Sequence, residues 1–260
     1  VITRRAVRFS EETRRRPFFL YFATHDIHVP RVPHPRFRGS SDCGRRGDAV
    51  HQFDASVGEI VAALDRLTLA RNTLVILTSD NGPVLDDGYA DGAVADRNGH
   101  QPGGPFRGGK YSLFEAGTRV PFVVRWPARV RPGVSAALVS QVDFVSTLAA
   151  LVNVPVPAET APDSRNVLAA LLGEGRSGRT EFVHAASGLA LRQGPWKYIP
   201  PGKGPARFAQ TDIESGIAAE PQLYDLESDP GETRNLAARE PVRVRRMQEK
   251  LHIVRGRPPR

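Results

Sequence analysis

Apolar residues fall along the chain in short blocks whose spacing changes from one block to the next. Pro17-Phe-Phe-Leu-Tyr-Phe-Ala23 is a continuous apolar run, the pattern of a strand buried on both faces of a parallel sheet. Ile2, Val7 and Phe9 precede it among arginines and glutamates, as on the tail of an amphipathic helix. A polar, Pro-rich loop follows, from Thr24 to about Gly47. Phe53, Val57, Ile60, Val61, Leu64 and Leu67 then recur at helical spacing, predicting a helix over 49–67. Thr73-Leu-Val-Ile-Leu-Thr78 predicts a second buried strand rich in β-branched residues. Strand, helix, strand is the order of an α/β sheet with a crossover helix.

Residues 82–109 are Gly- and Asp-rich and aperiodic, which predicts a long loop of the kind that often carries function. Val120–Trp126 predicts a third strand. Ser140 and Asp143 have capping-box spacing and open a helix with Val142, Val145, Leu148, Ala149 and Val152 on one face. Val154-Pro-Val-Pro157 breaks the chain and places a boundary there. Beyond it lie a short helix (167–172), strand-like pieces at 182–185, 189–192 and 196–199, and a final basic helix from about Glu240. The expected fold class is α/β, a largely parallel central sheet flanked by helices over residues 1–155. A smaller α+β subdomain over 156–260 follows, with a small antiparallel sheet and a terminal helix.

Composition narrows the function classes. The 260 residues are 40% hydrophobic and 25% charged, an ordinary globular balance. No apolar run is long enough to cross a bilayer. One cysteine, Cys43, excludes a disulfide scaffold and any multi-cysteine metal site, and with no histidine partner it reads as incidental. The net charge is +8, yet among 36 basic residues only 110, 197, 203 and 250 are lysines. The arginines gather toward both ends and read as solvated surface; no nucleic-acid motif accompanies them. The chain opens without a secretory signal, in what reads as the middle of a domain, so a preceding N-terminal portion is expected.

Three groups could carry chemistry. Asp80 and Asn81 end the second predicted strand, and ligands of open α/β sheets gather at that edge. Their oxygens suit a hard divalent cation, although Asp-Asn-Gly is also favoured turn chemistry. His25, His28 and His34 follow the first predicted strand and could move protons near neutral pH. Gly108-Gly109-Lys110 puts a scarce lysine behind a diglycine, where backbone can approach a ligand and an ammonium can offset an oxyanion. A flexible basic loop is the plainer reading of the same string.

Five segments in order resemble the type I sulfatases, the arylsulfatase branch of the alkaline-phosphatase superfamily. They are Pro17-Phe-Phe-Leu-Tyr-Phe-Ala-Thr-His-Asp-Ile-His-Val-Pro30, Asn72-Thr-Leu-Val-Ile-Leu-Thr-Ser-Asp-Asn-Gly82, Phe106-Arg-Gly-Gly-Lys-Tyr-Ser-Leu-Phe-Glu-Ala-Gly-Thr-Arg-Val-Pro121, Gln193-Gly-Pro-Trp-Lys-Tyr198 and Leu223-Tyr-Asp-Leu-Glu-Ser-Asp-Pro-Gly-Glu-Thr-Arg-Asn-Leu236. The resemblance implies hydrolysis of small-molecule or glycan sulfate esters. It implies Asp80 and Asn81 as ligands of Ca²⁺, or Mg²⁺ in some members. His28 and Lys110 are implied as sulfate contacts, with His28 also assisting the leaving oxygen. It further implies a formylglycine nucleophile, made from Cys or Ser in a Cys/Ser-x-Pro/Ala-x-Arg motif, and an exported or lysosomal location.

That motif is missing. Cys43 is followed by Gly44-Arg45-Arg46-Gly47, and Ser228-Asp229-Pro230-Gly231-Glu232 ends in glutamate. The family's early aspartate pair is missing too. The chain therefore contains no nucleophile of its own, and the nucleophile and first metal aspartates are expected upstream of it. Two other readings stay open: a phosphate ester hydrolase of the same superfamily, for which the histidine spacing after Asp80 fits poorly, and a non-catalytic polyanion-binding remnant.

Overall fold

The computed structural model describes residues 1–256. Helix α1 (Ile2–Thr13) packs on the long helix α2 (Gly44–Arg66), which leads into strand β1 (Val75–Leu77). Strand β2 (Val123–Arg125) pairs antiparallel with β1, Ile76 opposite Val124. Helix α4 (Leu168–Leu171) covers this pair: Ala170 and Leu171 pack with Ile76, Phe122 and Val124. Helix α3 (Phe144–Leu151) begins at the expected capping box, where Ser140 and Asp143 exchange side-chain-to-backbone bonds. Asp143 is fully buried and also takes the guanidinium of Arg179 at 2.6 Å.

One expectation is corrected here. Residues 17–23 are extended but form no strand. Between 17 and 24 no backbone group has an internal backbone partner, and Phe19 and Tyr21 are 75% and 81% exposed. Burial still alternates with period two from Phe18 to His25, as on a strand. No neighbouring strand completes the ladder, and every strand pair among the described residues is antiparallel. Helix α2 buries Leu64 of its apolar stripe, and beside it the small residues Ala49, Ser56 and Ala63, whose size lets α1 approach closely; Thr3 reaches Ser56 at 3.1 Å.

The last third of the chain is built on one sheet. Strands β3 (Glu181–Ala185), β4 (Leu189–Gln193), β5 (Trp196–Ile199) and β8 (Gln222–Asp225) lie in that order, all antiparallel. The strands β6 (Arg207–Phe208) and β7 (Ile213–Glu214) form a separate short pair. Successive residues of the large sheet serve opposite faces. Leu191, Tyr198 and Leu223 pack on Met247 and Leu251 of helix α5 (Pro241–Arg255). Ala190, Ile199 and Tyr224 pack on Leu113 and Phe114, in the Gly-Lys segment far upstream.

The same face carries charge. Lys197 is fully buried, 3.1 Å from Glu115 and 3.3 Å from Glu232. Arg192 lies 3.2 Å from Glu115, and the Glu115 N–H donates to Glu232 at 2.6 Å. His184 bonds the Ser112 carbonyl through Nε2 at 2.9 Å, leaving Nδ1 to accept from Thr118 at 3.1 Å. Burial, with Lys197 nearby, drives the His184 pKa down to about 3, so this histidine is a neutral strut.

Burial pushes the Glu232 carboxyl up to about 7 against the attraction of Lys197. An acid whose pKa rises on folding binds more protons folded than unfolded between its ordinary value and the raised one. Its contribution to stability is therefore present at low pH and lost as pH climbs to about 7. In urea unfolding between about pH 4.5 and 7, Glu232→Gln is expected to lose less stability with rising pH than wild type. Parallel curves for the two proteins would exclude Glu232 as the source.

Candidate active site

The site is assembled from loops at the edge of β1. Asp80 and Asn81 follow that strand directly and remain accessible. Gln141 holds the turn by donating to the Ser79 carbonyl at 2.6 Å. Asn81 Nδ2 donates to the Gly82 carbonyl at 2.9 Å, which leaves Oδ1 without a protein partner. From here the backbone runs against the Gly-Lys segment. Gly82 N–H donates to Gly117 O, and Lys110 N–H donates to Pro83 O, both at 2.9 Å. A Cβ at Gly82 would lie 1.6 Å from the Ala116 carbonyl oxygen, and one at Gly109 would lie 2.5 Å from the Pro83 oxygen. Only glycine permits this approach.

Lys110 turns its ammonium to Asp87, 2.8 Å away and 8% exposed. The Tyr111 hydroxyl reaches the same carboxylate at 3.1 Å. Tyr111 sits at φ +73°, a left-handed conformation that a bulky residue holds only under local constraint. The hydrogen bond from Lys110 is the main reason that the Asp87 carboxyl lies below its ordinary range; His28 adds a smaller pull in the same direction. Burial opposes charge on Lys110, but the bonds to Asp87 and Tyr111 outweigh it and hold the ammonium pKa above its ordinary value.

His28 lies on the loop after the extended segment. Its Nδ1 bonds the Val29 carbonyl at 2.7 Å, so Nε2 is the ring nitrogen free for proton transfer. That loop is fixed by Arg31, whose side chain is 1% exposed. Arg31 donates to Asp91 at 2.9 Å, to Leu85 O at 2.8 Å, to Val84 O at 2.7 Å and to Ile27 O at 3.0 Å. One guanidinium thus clamps the His28 loop to the loop that carries Asp87.

The structure brings Lys110 onto Asp87, and His28 lies within electrostatic reach of the same carboxylate without bonding it. Asp80 and Asn81 stand two or three residues before Pro83, whose carbonyl holds the Lys110 backbone, and they bond neither His28 nor Lys110 directly. His25 and His34 do not join the site. Asp87 and Arg31 belong to it and had no motif to mark them, and Tyr111 lay inside the Gly-Lys segment without a role assigned to it; the Asp-rich aperiodic loop was the only trace of Asp87. Among the described residues no three His, Cys, Asp or Glu side chains cluster closely enough to hold a metal. Asp80 and Asn81 supply two accessible hard oxygens, whereas Ca²⁺ takes about six to eight. The donor set fits such a cation as one side of a site.

Comparison with known proteins shows the family. The model of the sulfatase family matches residues 1–154. The chain belongs to the sulfatase family. It is 50% identical over 259 residues to an N-acetylgalactosamine-6-O-sulfatase of Bacteroides thetaiotaomicron, covering 99% of this chain and 51% of that protein. It is 36% identical over 235 residues to human arylsulfatase A, covering 85% of this chain and 44% of that protein. A solved structure from work on the metabolism of multiple glycosaminoglycans by Bacteroides thetaiotaomicron superposes with TM-score 0.95 at 50% identity. It covers 98% of this chain and 54% of that one. The chain thus spans about half the length of the relatives it matches, and its fold is the α/β, alkaline-phosphatase-like fold of these sulfatases. No described helix of this sulfatase chain is long and apolar enough to cross a membrane.

Removing the Arg31 charge would leave Asp91 buried and unpaired. Arg31→Met is expected to cost about 3–5 kcal/mol in urea unfolding, with part recovered in Arg31→Met/Asp91→Leu. A change under about 1 kcal/mol would deny the clamp its role.

Proposed function

We propose that this chain is part of a sulfate ester hydrolase acting on a sulfated glycan, with an amino-sugar 6-sulfate as the first substrate to test. The observation that carries the reading is the half-buried Lys110 ammonium held at Asp87, on the loop that Arg31 ties to the His28 loop and that follows the Asp80-Asn81 turn, in a chain of the sulfatase family. The 50% identity to the N-acetylgalactosamine-6-O-sulfatase supports the substrate class.

Each residue has a task that its surroundings allow. The Lys110 ammonium sits in a partly buried place, 15% exposed, where a fixed positive charge stabilises charge building on sulfate oxygens better than it would in water. His28, held through Nδ1, presents Nε2 to protonate the departing sugar oxygen. Asp80 and Asn81 offer oxygens to Ca²⁺, with Mg²⁺ as the alternative; when bound, the cation would supply Lewis-acid polarisation of the sulfate. A formylglycine nucleophile and further cation ligands would come from residues outside this sequence. Residues 1–155 would be the later part of the catalytic α/β domain and 156–260 a C-terminal subdomain. Export or lysosomal targeting is the location this reading favours.

The test is an assay of the complete gene product containing this chain. Sulfate release from N-acetylgalactosamine 6-sulfate is expected to exceed phosphate release from an aryl phosphate. Lys110→Ala is expected to lower kcat by about 10²–10³, and the 260-residue chain alone should match Lys110→Ala/His28→Ala in showing no turnover. Preference for phosphate, or full activity in Lys110→Ala, would overturn the assignment.

A further inference from the structure

Asp87 is used by neither the family motifs nor the reaction steps above, yet it is where the Lys110 ammonium and the Tyr111 hydroxyl converge. Its Oδ2 receives Lys110 at 2.8 Å and Tyr111 at 3.1 Å, and its Oδ1 receives Tyr111 at 3.3 Å. Besides Asp87, the Lys110 ammonium is approached only by the Tyr111 side chain among the described residues, the ring centroid 5.0 Å away. A lysine stem has four rotatable bonds, so an unheld ammonium would sample many positions. Here the backbone at Lys110 is pinned by Pro83 and the tip by Asp87, so both ends of the side chain are fixed.

Asp87 is itself held from behind. Arg31 bonds the carbonyls of Val84 and Leu85, three and two residues earlier, and the carboxylate of Asp91, four residues later. The carboxylate is therefore presented on a loop braced on both sides. Tyr111 is braced in turn against Phe208, the ring centroids 6.3 Å apart. The charged and titratable groups facing Asp87 are Lys110 and Tyr111 in contact and His28 at longer range.

We propose that Asp87 is the positioning residue for Lys110, fixing its ammonium in place and keeping it charged so that it meets the anionic group of the substrate preorganised. The inference rests on the reading of Lys110 as a sulfate contact, but the arrangement itself can be tested without turnover. Asp87 acts through Lys110 and Tyr111; it moves no proton and forms no bond to substrate.

The chain has four lysines, of which Lys197 is fully buried and Lys250 is paired with Glu181. Lys203 is exposed and serves as an internal standard. The experiment is reductive methylation of the 260-residue chain from pH 7 to 11, followed lysine by lysine by peptide mass spectrometry. In wild type, Lys110 should reach half-labelling at higher pH than Lys203. In Asp87→Asn the burial of Lys110 acts without its counter-charge, and labelling near pH 9 should rise at least about tenfold relative to Lys203, as a one-unit fall in pKa gives. Asp87→Glu should restore much of the wild-type profile, and Tyr111→Phe should move it less than Asp87→Asn. Circular dichroism spectra matching wild type would show the variants folded; should Asp87→Asn not fold, Asp87→Ser is measured in its place. Unchanged Lys110 labelling in the folded variant would overturn the proposal.

In the complete enzyme, Asp87→Asn should lower kcat more than it raises KM and move the alkaline limb of the pH profile to lower pH. If labelling changes as expected and no sulfatase activity exists in wild type, the functional reading fails and the positioning role stands. If activity exists and labelling does not change, the positioning role fails alone.

Discussion

Glu115 holds the two parts of this chain together, and it does so from a nearly dry interior. It lies in the Gly-Lys segment, yet its charge is answered by Lys197 and Arg192 from a sheet some eighty residues later. Lys197 is shared with Glu232, whose carboxylate returns to bond the Glu115 backbone. Such a cluster contributes little net stability, because desolvating each charge offsets most of the attraction. Its effect is on geometry: buried charges allow few arrangements, and one partner out of place leaves another unanswered. Burial opposes ionisation of Glu115, but the surrounding cations outweigh it and hold the carboxyl below its ordinary range.

The register this imposes continues into the site. With Glu115 fixed, Leu113 N–H meets Ser215 O at 2.8 Å, Ser112 bonds Glu214 O, and Arg107 joins Glu214 at 2.6 Å. The segment between Arg107 and Gly117 is thus tied from behind by the C-terminal sheet and from the front by Gly82 and Pro83. Lys110 emerges from the middle of a braced loop. A residue that must offset charge in a transition state works best when no reorganisation is needed at that moment, and this packing supplies that condition.

The site also shows how a conformationally awkward stretch is kept. Gly108 at φ +84° and Tyr111 at φ +73° bracket Lys110. The glycine costs little there, whereas the tyrosine is held by its hydroxyl bond to Asp87 and its contact with Phe208. On the other flank, Arg31 does for the His28 loop what Lys197 does for the Gly-Lys segment. In both cases a buried cation joins pieces of chain far apart in sequence.

The sequence by itself determined the elements whose signals are local. The helical stretch at 49–67, the cap at Ser140, the strands near 75–77 and 123–125, those at 181–199 and the helix from Pro241 were legible from periodicity and turn chemistry. Strand β8 was visible only as a motif. The roles proposed for Asp80, Asn81, His28 and Lys110 rest on motifs in order, because each motif is short and contiguous. Tertiary structure alone decided the rest. Whether the apolar run at 17–23 forms a ladder depends on a neighbouring strand, not on its own composition, and here its backbone stays unpaired. Which face of α2 is buried depended on how closely α1 approaches. That Asp87, Arg31 and Tyr111 belong to the site, and that Lys197, His184 and Glu232 lie buried behind it, follows from contacts between residues up to 125 positions apart. A charged residue carries no local mark of whether water or a distant partner will answer its charge.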